Sequence, residues 1–112
     1  MREKIKSIVR QIIALLVGGD FQRIVELTKG VRMSSEDIKA ALEDDGRILI
    51  APPETAFDLL DIVEVQNSKI RQFSIRMPLW TLEEGRSDLT LELTLTASDS
   101  DLDVELDDIH VL

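Results

Sequence analysis

Ile5, Ile8, Val9, Ile12, Ile13 and Leu16 recur at the i, i+3, i+4, i+7 spacing of an amphipathic helix, with Lys4, Lys6, Arg10 and Gln11 on the other face. Gly18-Gly19 stops that helix, because glycine takes the left-handed C-terminal geometry at little cost. Asp20 is placed to N-cap a second helix with the apolar face Phe21, Ile24, Val25 and Leu27, ended by Gly30. Ser34 or Ser35 caps a third, short helix through Leu42, with Glu36 and Asp37 favourable in its first turn. Asp44-Asp45-Gly46 reads as a turn, residues 47–51 as a short strand, and Pro52-Pro53 as its end. Residues 54–60, with Thr55, Phe57, Leu59 and Leu60, fit a helical turn or the start of a strand equally well.

Further along the period changes to two. Phe73, Ile75, Met77 and Leu79 alternate with Gln72, Ser74 and Arg76; Leu89, Leu91, Leu93 and Leu95 with Thr90, Glu92, Thr94 and Thr96. Leu102, Val104 and Leu106 alternate with Asp103, Glu105 and Asp107. Each segment reads as a half-buried strand of an antiparallel sheet with one wet face. Asn67-Ser68 and residues 98–101 are turn sequences that close hairpins. Closing Ala97 against Leu102 sets Leu95 opposite Val104, Leu93 opposite Leu106, Leu91 opposite Asp108 and Leu89 opposite His110. Across a longer loop over residues 80–88, Met77 pairs with Leu91 and Arg76 with Glu92, so that Arg76, Glu92 and Asp107 line up on the wet face.

After Asp107 the alternation breaks. Ile109 and Val111 are apolar on the parity that was acidic, and Asp108 and His110 take the core-facing parity. Either a bulge flips the strand or both faces are covered there.

The elements together predict one α+β domain over residues 1–112, helical over 1–45 and mainly β-sheet over 46–112. The 112 residues suffice for one core, and three Phe and one Trp make that core aliphatic. There is no cysteine, hence no disulfide, thiolate metal site or Cys nucleophile. Arg2, Lys4 and Lys6 before the apolar run 12–17 imitate a signal peptide, but that run is short and no A-x-A site follows. No stretch reaches the roughly 18 apolar residues of a membrane span. A cytoplasmic location and no membrane association are expected.

The net charge of −9 is unevenly placed. Residues 1–50 hold nine Lys/Arg against eight Asp/Glu, whereas residues 51–112 hold four against fourteen. Such a surface repels nucleic-acid phosphates and favours a basic partner.

Candidate chemistry is sparse. Asp108 and His110 stand at i, i+2 on one strand face, where a carboxylate can orient an imidazole for general-base work; a hydrogen-bonded near-terminal histidine is the plainer account. A single histidine without cysteine argues against zinc, and no cofactor motif is present. Asp99, Asp101 and Asp103 open a calcium-loop pattern, but Val104 and His110 stand where it needs Gly and Glu. The segment 80–88 holds Trp80, Glu83, Glu84, Arg86 and Asp88, and Arg86 either binds a carboxylate or pairs within the loop.

Helices first, then a short strand, a connector and a long antiparallel meander resemble the nuclear transport factor 2-like superfamily. Residues 79–91 and the ending Asp107-Asp108-Ile109-His110-Val111-Leu112 also look like a family of uncharacterised small bacterial proteins. The first resemblance implies a curved sheet folded as a cone, a pocket on its concave face and dimerisation through the sheet. Few aromatics are present to line such a cone.

Three functions follow as expectations. The leading one is a non-catalytic acidic binding module, of protein-interaction or immunity type, meeting a basic partner through Glu83, Glu84, Asp103, Glu105 and Asp107, with Trp80 and Arg86 nearby. The alternative is a small-molecule enzyme or ligand-binding protein with its pocket under the sheet, using Asp108 and His110 for proton transfer and Arg86 or Trp80 for the ligand. The third is a structural homodimer.

Overall fold

Helix α1 runs over Arg2–Gly18 and buries Ile5, Val9, Ile12, Ile13 and Leu16, the stripe that its periodicity predicts. Each such side chain contributes about 1.5–3 kcal/mol on burial, before entropy. Gly19, at φ 74°, closes the helix, its N–H donating to the carbonyl of Leu16 at 3.2 Å. The structure, a computed structural model, describes residues 1–66, 69–99 and 101–112. The turn expected at Asn67-Ser68 lies outside these, as does Ser100 in the turn expected at 98–101.

Helix α2 (Phe21–Thr28) is capped by Asp20, whose carboxylate accepts from the Arg23 N–H at 3.3 Å. Its left-handed closing residue is Lys29 at φ 61°, one position before the expected Gly30. Helix α3 (Ser35–Asp45) begins at a reciprocal capping box: Asp37 N–H donates to Ser34 Oγ at 3.1 Å, and Ser34 N–H to Asp37 Oδ2 at 3.0 Å. It continues past Leu42, so Asp44 and Asp45 are helical rather than in a turn. The stop is Gly46 at φ 76°, whose N–H closes on the Leu42 carbonyl.

Strand β1 (Leu49–Ile50) is followed by a 3₁₀ helix over Glu54–Leu59, which resolves the ambiguous segment as helical. That helix buries Ala56 and Phe57 and carries Glu54 and Asp58 towards α1. Arg2, Lys6 and Arg10, spaced i, i+4, i+8 on the polar face of α1, meet it there. Arg2 donates to the Asp58 carbonyl at 2.8 Å, Lys6 to the Asp58 carboxylate at 2.6 Å, and Arg10 to Glu54.

The sheet adds β2 (Asp61–Glu64), β3 (Gln72–Thr81), β4 (Gly85–Ser98) and β5 (Asp101–Val111), all antiparallel neighbours. β5 is outermost beside β4, β3 follows, and both β1 and β2 pair with β3. β1 takes Trp80 and Thr81, while β2 takes residues 73–76. Pro78, which has no N–H to donate, sits between those two stretches, where neither β1 nor β2 is paired. Phe73, Ile75, Met77, Leu79, Leu89, Leu91, Leu93 and Leu95 form one buried core with α1, Ile24 and Ile38. The chain is thus α+β, with helices first and an antiparallel sheet last.

Two expectations about the sheet are corrected. The segment 80–88 is not a long loop: β3 runs to Thr81 and β4 starts at Gly85, so only 82–84 turn, and Trp80 pairs with Arg86 in the ladder. The register of β5 also differs. Leu95 faces Val104 and Leu93 faces Leu106 as expected, but Glu92 then pairs with Asp108, Leu91 with Ile109, Thr90 with His110 and Leu89 with Val111. Asp107 is the extra residue of a bulge. It keeps Ile109 in the core and turns Asp108 and His110 away from it, because an inserted residue shifts a period-two pattern by one face. The pairings of Leu91 with Asp108 and of Leu89 with His110 do not form, and Glu92 lines up with Asp108 rather than Asp107.

Candidate functional site

The polar face of β3–β4–β5 is ordered in rows by the register: Gln72–Thr96–Asp103, Ser74–Thr94–Glu105, Arg76–Glu92–Asp108 and Pro78–Thr90–His110. Alternation puts every one of these side chains opposite the leucine face. The bulge adds Asp107 beside Asp108, so Glu92, Asp103, Glu105, Asp107 and Asp108 share one face of two adjacent strands.

Five like charges at this spacing need compensation, and the structure supplies it locally. Arg76 Nε donates to Glu92 Oε1 at 2.8 Å. Arg32, from the α2–α3 connection, lies 3.9 Å from Glu105 and 3.8 Å from Asp107 Oδ1. Thr94 Oγ1 donates to Asp107 Oδ2 at 2.6 Å. Asp107 Oδ1 is buried without a hydrogen bond among the described residues. Asp103 has no ion pair among the described residues.

His110 is held between two carboxylates. Its Nδ1 lies 2.7 Å from Asp108 Oδ2 and its Nε2 3.3 Å from Glu92 Oε2. The other oxygen of Asp108 accepts the Ile109 N–H at 2.9 Å. Glu92, Asp108 and His110 each bring one metal-competent atom within 4.8 Å of the others. The Glu92 side chain is 19% exposed and that of His110 37%. His110 also borders a cavity of about 320 Å³ whose other walls are Ala41, Asp44 and Asp45 of α3 with Leu89, Ile109 and Val111.

The remaining candidates lie elsewhere. Glu83 Oε1 accepts the Ile48 N–H at 3.0 Å. Glu84 Oε1 accepts from Ser87 Oγ at 2.8 Å and stands 3.3 Å from Arg47 Nε. These two acids tie the β3–β4 turn to the chain entering β1. Trp80 is half-buried, and Arg86 opposite it is exposed with no ion pair among the described residues. Asp101, in the calcium-like run, has its carboxyl held below the usual range by the Leu102 N–H and then by Lys4.

Sequence reasoning paired Glu92 with Arg76 but missed its contact with His110, and it missed Arg32 altogether. The broken parity after Asp107 was the available signal for the first; nothing local signals the second.

A family model described as a domain of unknown function (DUF7668) matches residues 13–112, and the chain belongs to that family. No curated protein and no solved structure matches it. No helix among the described residues is long and apolar enough to cross a membrane.

Proposed function

We propose that this member of the DUF7668 family is a non-catalytic acidic binding module that docks a basic protein segment on the polar face of β4 and β5. One observation carries the reading: the bulge at Asp107 gathers Glu92, Asp103, Glu105, Asp107 and Asp108 on one face, where among the described residues Arg76, Arg32 and the imidazole of His110 face them. Opposed charge of this kind steers encounter and selects a partner more than it sets raw affinity. Asp103 and Glu105 are the contacts best placed to engage such a segment, with Asp107 behind them. Glu83 and Glu84, committed to Ile48, Ser87 and Arg47, contribute to the field rather than to contacts. A cytoplasmic setting belongs to this reading, as does the likeness to the nuclear transport factor 2-like superfamily, which rests on element order.

The test is a titration of the ¹⁵N-labelled chain with a short lysine-rich peptide at two salt concentrations. Shifts confined to the β4–β5 face, weakened by salt and lost on Asp103→Lys with Glu105→Lys, support the module. Shifts spread over all acidic surfaces, or insensitive to salt, refute it.

A second reading, proton transfer on a small molecule by Asp108 and His110, draws on their 2.7 Å contact and on the adjoining cavity of about 320 Å³. Against it, the two ring nitrogens of His110 face Asp108 and Glu92 on the open face, while the cavity walls Leu89, Ile109 and Val111 share the core-facing parity. The binding module therefore stands first.

A further inference from the structure

We propose that Glu92 and His110 form a seat for a divalent transition-metal ion of the zinc class, with Asp108 as the positioning residue. Most donors and acceptors of the cluster are already engaged. Asp108 Oδ1 accepts from the Ile109 N–H at 2.9 Å, and Asp108 Oδ2 faces His110 Nδ1 at 2.7 Å. Glu92 Oε1 accepts from Arg76 Nε at 2.8 Å. Glu92 Oε2 and His110 Nε2 face each other at 3.3 Å, with no other hydrogen bond or ion pair among the described residues.

An ionised carboxylate only accepts, so the Asp108 contact favours the tautomer in which Nδ1 donates and leaves Nε2 as the ring's second position. Two lone-pair atoms 3.3 Å apart repel unless something positive lies between them. That occupant is a proton or a metal ion. A tetrahedral metal about 2.0–2.2 Å from each of a histidine nitrogen and a carboxylate oxygen holds the two about 3.3–3.5 Å apart, and the 3.3 Å found lies at the lower end of that span. A histidine that donates its other ring N–H to a carboxylate is the usual supporting arrangement around a bound metal, since it fixes tautomer and ring orientation. One imidazole and one carboxylate suit zinc and its neighbours rather than calcium, which takes only oxygen.

Arg76 opposes the ion by its charge and helps it by fixing the Glu92 carboxylate. With two protein donors the site stays open to water, and its affinity is modest. The bulge builds it: in the unbulged register His110 would face the core and Glu92 the solvent. The inference needs no protein partner, so it stands or falls apart from the binding-module reading.

The experiment titrates zinc chloride into the whole, ¹⁵N-labelled chain and follows the imidazole nitrogens. The expected result is one equivalent of zinc that moves the His110 Nε2 resonance and leaves the Nδ1 proton in place. Glu92→Gln and His110→Gln should each weaken zinc at least about tenfold, and Asp108→Asn by roughly 10–100-fold. A ring spectrum unchanged by excess zinc overturns the proposal, and because it is read on the wild type no folding defect can obscure it. Zinc binding undiminished in Glu92→Gln overturns it equally, placing the ion elsewhere.

Discussion

Thr94 Oγ1 donates to Asp107 Oδ2 at 2.6 Å, and this bond joins the bulged strand to the centre of the sheet. The other Asp107 oxygen is buried without a hydrogen bond among the described residues, so the carboxylate relies on Thr94 and on the more distant Arg32. Thr94→Val keeps the shape and removes the donor. A hydrogen bond to a charged group contributes about 1.5–3 kcal/mol, and a loss of that order is expected in urea unfolding. A loss below about 0.5 kcal/mol would show that the bulge holds without it.

Removing Asp107 altogether should be milder than removing a neighbouring ladder residue. Without it Leu106 still faces Leu93 and Asp108 still faces Glu92, so both halves of β5 keep their register. Deleting Val104 instead displaces one half by a residue and flips its faces. Amide spectra should show a native-like sheet for the first deletion and not for the second.

Lys6 and Asp58 give a pH signature. The Lys6 ammonium beside Asp58 holds that carboxyl below its ordinary value of about 3.9. Asp58 in turn raises Lys6 above its ordinary value of about 10.4. A depressed carboxyl stabilises the fold above its unfolded value and stops doing so as pH falls through the folded one. A raised ammonium stabilises below its unfolded value and stops as pH climbs through the folded one. The melting-temperature gap between wild type and Asp58→Asn should therefore be widest between those limits and close outside them. The Asp58 carboxylate is exposed although the Lys6 side chain is largely covered, so the gap is small and shrinks with salt.

Ser34→Ala removes one half of the capping box of α3, the hydroxyl that accepts the Asp37 N–H, and leaves the Ser34 N–H to donate to the Asp37 carboxylate. A cost of about 1 kcal/mol is expected. In the same variant the Asp37 carboxyl, held low first by the N–H of Ser34 and then by its hydroxyl, should rise only part of the way, because the N–H remains.

Leu93 is fully buried between β3 and β5, opposite Ile75 and Leu106. Leu93→Ala should cost about 2–5 kcal/mol. Leu59→Ala, at a side chain left exposed, should change stability by no more than about 0.5 kcal/mol. Chemical denaturation of both variants checks the contrast.

Much of this architecture is visible in local patterns because local physics determines it. The α1 stripe, the cap at Asp20, the start of α3 at Ser34 or its neighbour, and the leucine rows of β4 follow from period and capping chemistry alone. β2 was not legible: Asp61–Glu64 is four residues long and mostly exposed, so it carries no burial signal. The continuation of the ladder through Trp80 and Arg86 was hidden for another reason, since polar residues after a strand read as loop until a partner is known. The bulge left a trace in the parity after Asp107, but a trace with two solutions. Which one holds depends on Ile109 reaching the core, a contact between strands that no single stretch of chain encodes. The seat between Glu92 and His110 followed from that choice, and so lay beyond local reading.

β5 ends the sheet, and its length and composition bear on how copies of the chain treat one another. A terminal strand of eleven residues offers unpaired backbone groups to any other edge it meets. Here that strand carries Asp101, Asp103, Glu105, Asp107 and Asp108, and its bulge breaks the even spacing that a second strand would have to match. Two such edges brought together would oppose ten carboxylates across a kinked seam. The acids proposed to draw a basic segment to this strand would also make it a poor template for a second copy of itself.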